Sequence, residues 1–161
     1  MALREASQRL AGLKLKKSGF DIVASGFERT YRQGRRRMLE LSVMHTDEAS
    51  HDWRKRVQAH WRQLALFRPA WPDYFDVRIA TARRLAEALG RDHDLAVLAV
   101  YAAGPARDIL GNEGVRAITQ MIGQKQAEIR KQTLIEGGLL FADKPRALTK
   151  QIRRYWAIAS Q

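Results

Sequence analysis

Between His51 and Phe67, cations and tryptophans alternate at helical spacing, and the cations are placed to hold an extended anion. On a wheel of ~100° per residue, His51, Arg54, Lys55, Gln58 and Arg62 fall within ~100° of one another. Trp53, Val57, Trp61, Leu64 and Phe67 take the other side. The segment reads as a ridge of cations with one amide, backed by an apolar face. No Asp or Glu falls on the ridge, and like charges three or four residues apart repel by a few tenths of a kcal/mol per pair. A ridge without internal partners suits an anion lying along the helix axis. The planar fork of arginine matches phosphate oxygens, whereas Lys55 offers a point charge. Histidine titrates near pH ~6.5, so a polyanion beside His51 favours its charged form and tightens binding in mild acid. A merely solvated helix face is the competing reading.

Two other segments repeat the pattern. Residues 29–37 hold Arg29, Arg32, Arg35, Arg36 and Arg37 and no acid. Arg29, Arg32 and Arg36 share one face, while Arg35 and Tyr31 flank the apolar positions, where a groove between helices is expected. Near the end, Arg146, Lys150 and Arg153 share a side opposite Leu148, Ile152, Tyr155 and Trp156. Packed side by side, the three stripes make one positive trough. The alternatives are a charge that complements a helix C-terminus for Arg153 and Arg154, and an ion pair with Asp92 or Asp94 for Arg35.

The elements that carry these stripes are helical nearly throughout. Helices are expected over about 3–17, 20–44, 47–68, 72–90, 92–103, 113–136 and 145–157, six or seven in all. Thr46 or Asp47 caps the helix of the ridge and Pro69 stops it; Pro72 and Pro145 open helices. Gly90 and the Gly137-Gly138 pair read as terminators, and Asp92 as an N-cap. Gly34 lies inside an apolar face, where close packing of a neighbour offsets its cost of about 1 kcal/mol against Ala. The fold class is all-α, a helical bundle in which long antiparallel helices carry basic faces.

Composition sets the outer limits. The chain has 161 residues, 45 % of them hydrophobic, enough for a core. Lys and Arg outnumber Asp and Glu by 29 to 17, a formal net charge of +12, so a polyanionic partner is the first expectation. Cysteine is absent, which excludes disulfides, thiolate metal sites and thiol catalysis. No apolar run approaches the ~20 residues of a membrane span, and the N-terminus lacks a secretory pattern; a cytoplasmic protein without a membrane partner is expected. Catalysis is not expected either: there is no HExxH, phosphate-binding glycine loop or paired-carboxylate motif. His51 and His60 lie on opposite sides of their helix, His60 on the apolar side as a hydrogen-bonded core or boundary residue, so they cannot share a metal. No metal or other cofactor is expected. His93 with Asp94 is better read as an orienting pair than as an acid–base pair, since no nucleophile accompanies it. Trp53, Trp61 and Trp156 read as core packing rather than as platforms for bases.

His51-Asp-Trp-Arg54-Lys55-Arg-Val-Gln-Ala-His-Trp61 resembles the signature helix, about 47–68, of the CHAD family, the conserved histidine α-helical domain. Tyr31-Arg32-Gln-Gly34-Arg35-Arg36 and Leu89-Gly90-Arg91-Asp92-His93-Asp94-Leu95 resemble its flanking motifs. Leu140-Phe141 to Arg146, with Arg153-Arg154-Tyr155-Trp156, resembles its C-terminal stretch. The likeness covers most of the chain from Phe27 onward and points to the C-terminal half of the family pattern, with 1–161 as one domain. It implies an all-helical domain that binds inorganic polyphosphate, without catalysis, in a basic cavity, and that can associate with polyphosphate granules. By position, His51, Arg54 and Lys55 match the signature, Tyr31, Arg32 and Arg35 the upstream motif, and His93 and Asp94 the downstream one. Gln58 stands where the family pattern places a lysine. Family members usually carry two such halves and one signature helix is present here, so two chains are expected to pair as a homodimer that completes the site. The charge alone equally permits a sequence-nonspecific RNA- or DNA-binding protein, or a scaffold that docks an acidic protein.

Overall fold

The computed structural model describes residues 19–161; the helix expected over 3–17 lies outside them. The described residues form five helices, a short 3₁₀ turn and no strand. They are α1 (Asp21–Met44), α2 (Asp47–Phe67), α3 (Pro72–Ala103), α4 (Arg107–Leu140) and α5 (Pro145–Ala159), with the turn over Arg68–Ala70 between α2 and α3. None is long and apolar enough to cross a membrane.

Local signals set most of the boundaries. Thr46 caps α2, its hydroxyl accepting from the Ala49 N–H at 3.2 Å, with Asp47 and Glu48 in the first turn where the helix dipole favours acids. Pro72 and Pro145 stand in the first turns of α3 and α5, where a missing N–H costs nothing. The C-cap of α1 is His45, left-handed at φ 52°.

α1 to α4 each run antiparallel to the one before, and α5 continues in the direction of α4, from the level of Arg35 to that of Asp21. Phe20 meets Phe67 and Arg37 meets Asp52 across α1 and α2; Phe75 meets Phe67 and His93 meets His51 across α3 and α2. α4 returns along α3, and α5 packs on α1 and the 3₁₀ turn. The core lies between the α1–α2–α3 layer and the cover formed by the end of α4, Phe141 and α5. It holds Phe27, Tyr31, Trp53, Val57, Leu64, Phe67, Phe75, Leu85, Phe141, Leu148 and Ile152. Large side chains buried this fully contribute ~1.5–3 kcal/mol each.

Three glycines work by close approach, two of them against expectation. Gly34 faces the Phe141 ring, where a Cβ would stand 2.5 Å from a ring carbon, as its place in an apolar face suggests. Gly137 does not stop α4, which runs on to Leu140; it is buried in the last turn, and a Cβ there would stand 2.5 Å from the Trp53 indole. Gly90 does not end a helix either. It sits inside α3, so the expected helices 72–90 and 92–103 are one helix of 32 residues. The interruption in α4 comes earlier, at Gly111 (φ 64°, ψ 170°).

Asp92 is therefore no N-cap. Its buried carboxylate receives the Arg130 guanidinium from α4 at 2.9 Å (Nε) and 3.1 Å (Nη2). Arg130 also donates to Asp47 and to the His45 carbonyl, and Gln126 reaches Asp47 at 2.9 Å. One arginine thus fastens the α1–α2 turn, α3 and α4 together.

Candidate anion-binding site

With Trp53, Val57 and Leu64 turned into the core, the opposite side of α2 faces outward. His51, Arg54 and Gln58 are half-buried there; Lys55 and Arg62 are exposed. Along one flank α3 opens a cleft of about 650 Å³ between Arg54, Gln58 and Trp61 on α2 and Arg83, Glu87, Arg91 and Asp94 on α3. Gly90 forms its floor: a Cβ there would stand 3.5 Å from Arg54 Nη2, so the guanidinium lies flat on the α3 backbone. Arg54 has no carboxylate partner among the described residues, and its Nε is buried without a hydrogen bond. Arg83 lies over the Trp61 ring at 4.7 Å and Arg62 over the same ring at 5.5 Å.

Past one end of the cleft His51 and His93 stack, ring centroids 4.7 Å apart. His51 titrates below its ordinary range, first because it is desolvated and then because Lys55 and His93 are close. It is thus mostly uncharged at neutral pH. Lys55 donates to Asp52 at 2.7 Å, and that bond holds the Asp52 carboxyl below the usual range. The ridge is not wholly without partners: Asp52 flanks it one turn before Lys55.

Four of the five α1 arginines are engaged. Arg32 pairs with Glu28, Arg36 with Glu40 at 3.5 Å, and Arg37 with Glu40 at 2.5 Å. Arg35 neither meets Asp92 nor Asp94; it donates to the Asp143 carbonyl in the α4–α5 turn. Tyr31 is fully buried among Phe27, His60 and Phe141, its hydroxyl donating to the Leu140 carbonyl at 3.4 Å. It is core, out of reach of an anion on the surface, because it sits on the side of α1 that α5 and Phe141 cover.

The third stripe does not join the other two. α5 presses Trp156 against Phe67 and Tyr155 against Tyr74, on the core side of α2. Its exposed Arg146, Lys150 and Arg153 thus point away from the α2 ridge, and Arg153 pairs with Asp21 at 3.0 Å. The expected single trough is replaced by an α2–α3 cleft and a separate basic face on α5.

One further residue stands differently from expectation, and another does more than expected. His60 is wholly buried in an aromatic cage, yet neither ring nitrogen has a hydrogen-bond partner; burial, then the nearby Arg78 charge, pushes its pKa down to about 3. Trp61 packs against the core as expected and in addition forms a wall of the cleft. Arg83 and Arg91 complete the cleft; a stop at Gly90 would put them on separate elements. Read as one helix, Arg83, Glu87, Arg91 and Asp94 recur at spacings of four, four and three, the mark of a single face.

No curated protein and no solved structure matches the chain. The family model described as CHAD domain matches residues 2–103. That span takes in α1, α2 and α3 with the Tyr31–Arg36, His51–Trp61 and Leu89–Leu95 motifs. It begins well before Phe27 and ends before Leu140, so the C-terminal stretch is outside it and the likeness is not confined to a C-terminal half. On a match over more than half its length, covering both walls of the cleft, the chain belongs to the CHAD family.

Proposed function

We propose that this chain binds inorganic polyphosphate, without catalysing its turnover, in the α2–α3 cleft and along the outward ridge of α2. Arg54 carries the reading. A half-buried guanidinium that lies against Gly90, lines a polar cleft and has no carboxylate partner among the described residues keeps its charge and its outer N–H groups for an oxyanion. Arg83 and Arg91 flank it, and Lys55 and Arg62 extend the cation row. From Arg54 to Arg62 the ridge rises ~12 Å, room for several phosphates of a linear polymer. Contacts to non-bridging oxygens release counterions, so affinity falls steeply with salt. His51 gains a proton as the anion arrives, so affinity also rises as pH falls. The ridge offers no free aromatic face for bases: Trp53 is buried and Trp61 lies under Arg83. This favours polyphosphate over single-stranded nucleic acid. Exposed Arg146 and Lys150 add to the net positive field that steers the polymer, whereas Arg32, Arg36 and Arg153 are offset by Glu28, Glu40 and Asp21. Granule association in the cytoplasm follows from this binding.

The test is a titration of the full chain with labelled medium-length polyphosphate, in competition with single-stranded DNA. Arg54→Ala and Lys55→Ala are each expected to weaken binding about tenfold with an unchanged circular dichroism spectrum. Polyphosphate should displace the DNA at comparable phosphate concentration, and not the reverse. Unchanged affinity in both variants would remove the ridge from the site; preference for DNA, or for an acidic protein partner, would replace the reading.

A further inference from the structure

We propose that the outer part of the α3–α4 hairpin is a docking surface for a second copy of this chain. The proposal stands on observations separate from the anion cleft. α2 begins at the level where Asp47 meets Gln126 and His51 meets His93. Past that level α3 and α4 run on together, packed on each other. Their shared groove comprises two adjoining cavities of about 550 and 630 Å³, lined by Leu95, Leu98, Ile118, Met121, Ile122 and Ile129. Exposed apolar residues continue outside the groove: Val100 is 74 % exposed, Tyr101 57 % and Met121 68 %. Two helices cannot cover apolar positions on several sides of each other, whereas four can.

Charge identifies the occupant. Residues 93–128 carry Arg107, Arg116 and Lys125 against Asp94, Asp108, Glu113 and Glu128, which is 3 − 4 = −1. The whole chain carries +12, so the rest carries +13. Residues 95–106 have no charge at all. Two copies of so basic a protein repel through every other face and can meet through this one. The rim carries both signs, Arg91 and Asp94 on α3 and, on α4, Lys125 paired with Glu128 at 2.7 Å. A two-fold interface needs both signs on one patch. An acidic partner or a polyanion would find its complement on the basic faces instead. Arg91 and Asp94 belong to both groove and cleft, so the second copy would sit beside the anion site.

Sedimentation equilibrium on the full chain, up to about 100 µM, tests this. The wild type is expected at dimer mass. Leu98→Glu and Met121→Glu, both at exposed positions, are each expected to halve the mass with unchanged helical content. A wild type that stays monomeric overturns the proposal, whether hydrogen exchange finds the groove open or shielded by another segment of the same chain. So does a dimer mass that survives both substitutions, or assembly that appears only with added polyphosphate.

Discussion

Arg130 and Arg54 both lie against the α3 backbone's neighbourhood, one on each side of that helix, and their surroundings differ in kind. Around Arg130 every acceptor is in place: Asp92, Asp47 and the His45 carbonyl meet its nitrogens. Around Arg54 there is a backbone floor, an aromatic wall, and Arg83 and Arg91 alongside Glu87 and Asp94, neither of whose carboxylates is bonded to it. The first arrangement consumes the charge in holding three elements together. The second leaves the charge available to something outside the chain. The lesson is that burial alone does not separate a structural arginine from a binding one; the supply of internal acceptors does. The α1 arginines make the same point on the surface, where Glu28 and Glu40 take up Arg32, Arg36 and Arg37.

Removing Arg130 attacks the structural side of this contrast. Arg130→Met leaves the Asp92 carboxylate buried without its counter-charge and should cost about 3–5 kcal/mol, read as a lower urea midpoint. An unfolding curve within ~1 kcal/mol of wild type would mean that the three-way junction carries little of the stability. A second loss should appear in acid. His60 is held neutral in the core down to about pH 3, while in the unfolded chain it charges near pH ~6.5. Its folded pKa is the lower one, so the unfolded state takes the extra proton as pH falls below ~6.5. Stability then drops by up to about 1.4 kcal/mol per pH unit, about 2 kcal/mol between pH ~7 and ~5. In urea titrations at the two pH values, His60→Leu should lose less than the wild type does. The smallest stability change belongs to Arg54→Ala, less than about 1 kcal/mol, since no partner is left unpaired. Its signature is instead a slope of log affinity against log salt shallower by about one. A variant that unfolds easily but keeps its salt slope would move Arg54 to the structural side.

How much of this can be read before folding depends on which physical signal is local. The ends of α2, α3 and α5 that Thr46, Pro72 and Pro145 mark are local chemistry, and they lie where expected. The direction of the α2 ridge is also local, because tryptophans and leucines on one side force the cations to the other. Glycine is ambiguous: the same residue that ends a helix also admits a neighbour. Gly90 and Gly137 serve the second use, for Arg54 and Trp53, which no single-chain periodicity reveals. A stop at Gly90 would split α3, make Asp92 a cap and put Arg83 and Arg91 on separate elements. The placement of α5 is wholly tertiary. Its stripe reads like that of α2, yet it faces away because Trp156 and Ile152 pack on the core side.

Trp61, held between Arg83 and Arg62 at the wall of the cleft, has an optical consequence. Indole emission responds to charge moving across the ring, and an anion that draws either guanidinium aside alters that charge. Trp53, sealed in the core, with Trp71 and Trp156 packed against other aromatic rings away from the cleft, supplies the background against which the change is read. The chain therefore contains its own spectroscopic gauge of cleft occupancy, reporting on the unmodified protein from the site itself.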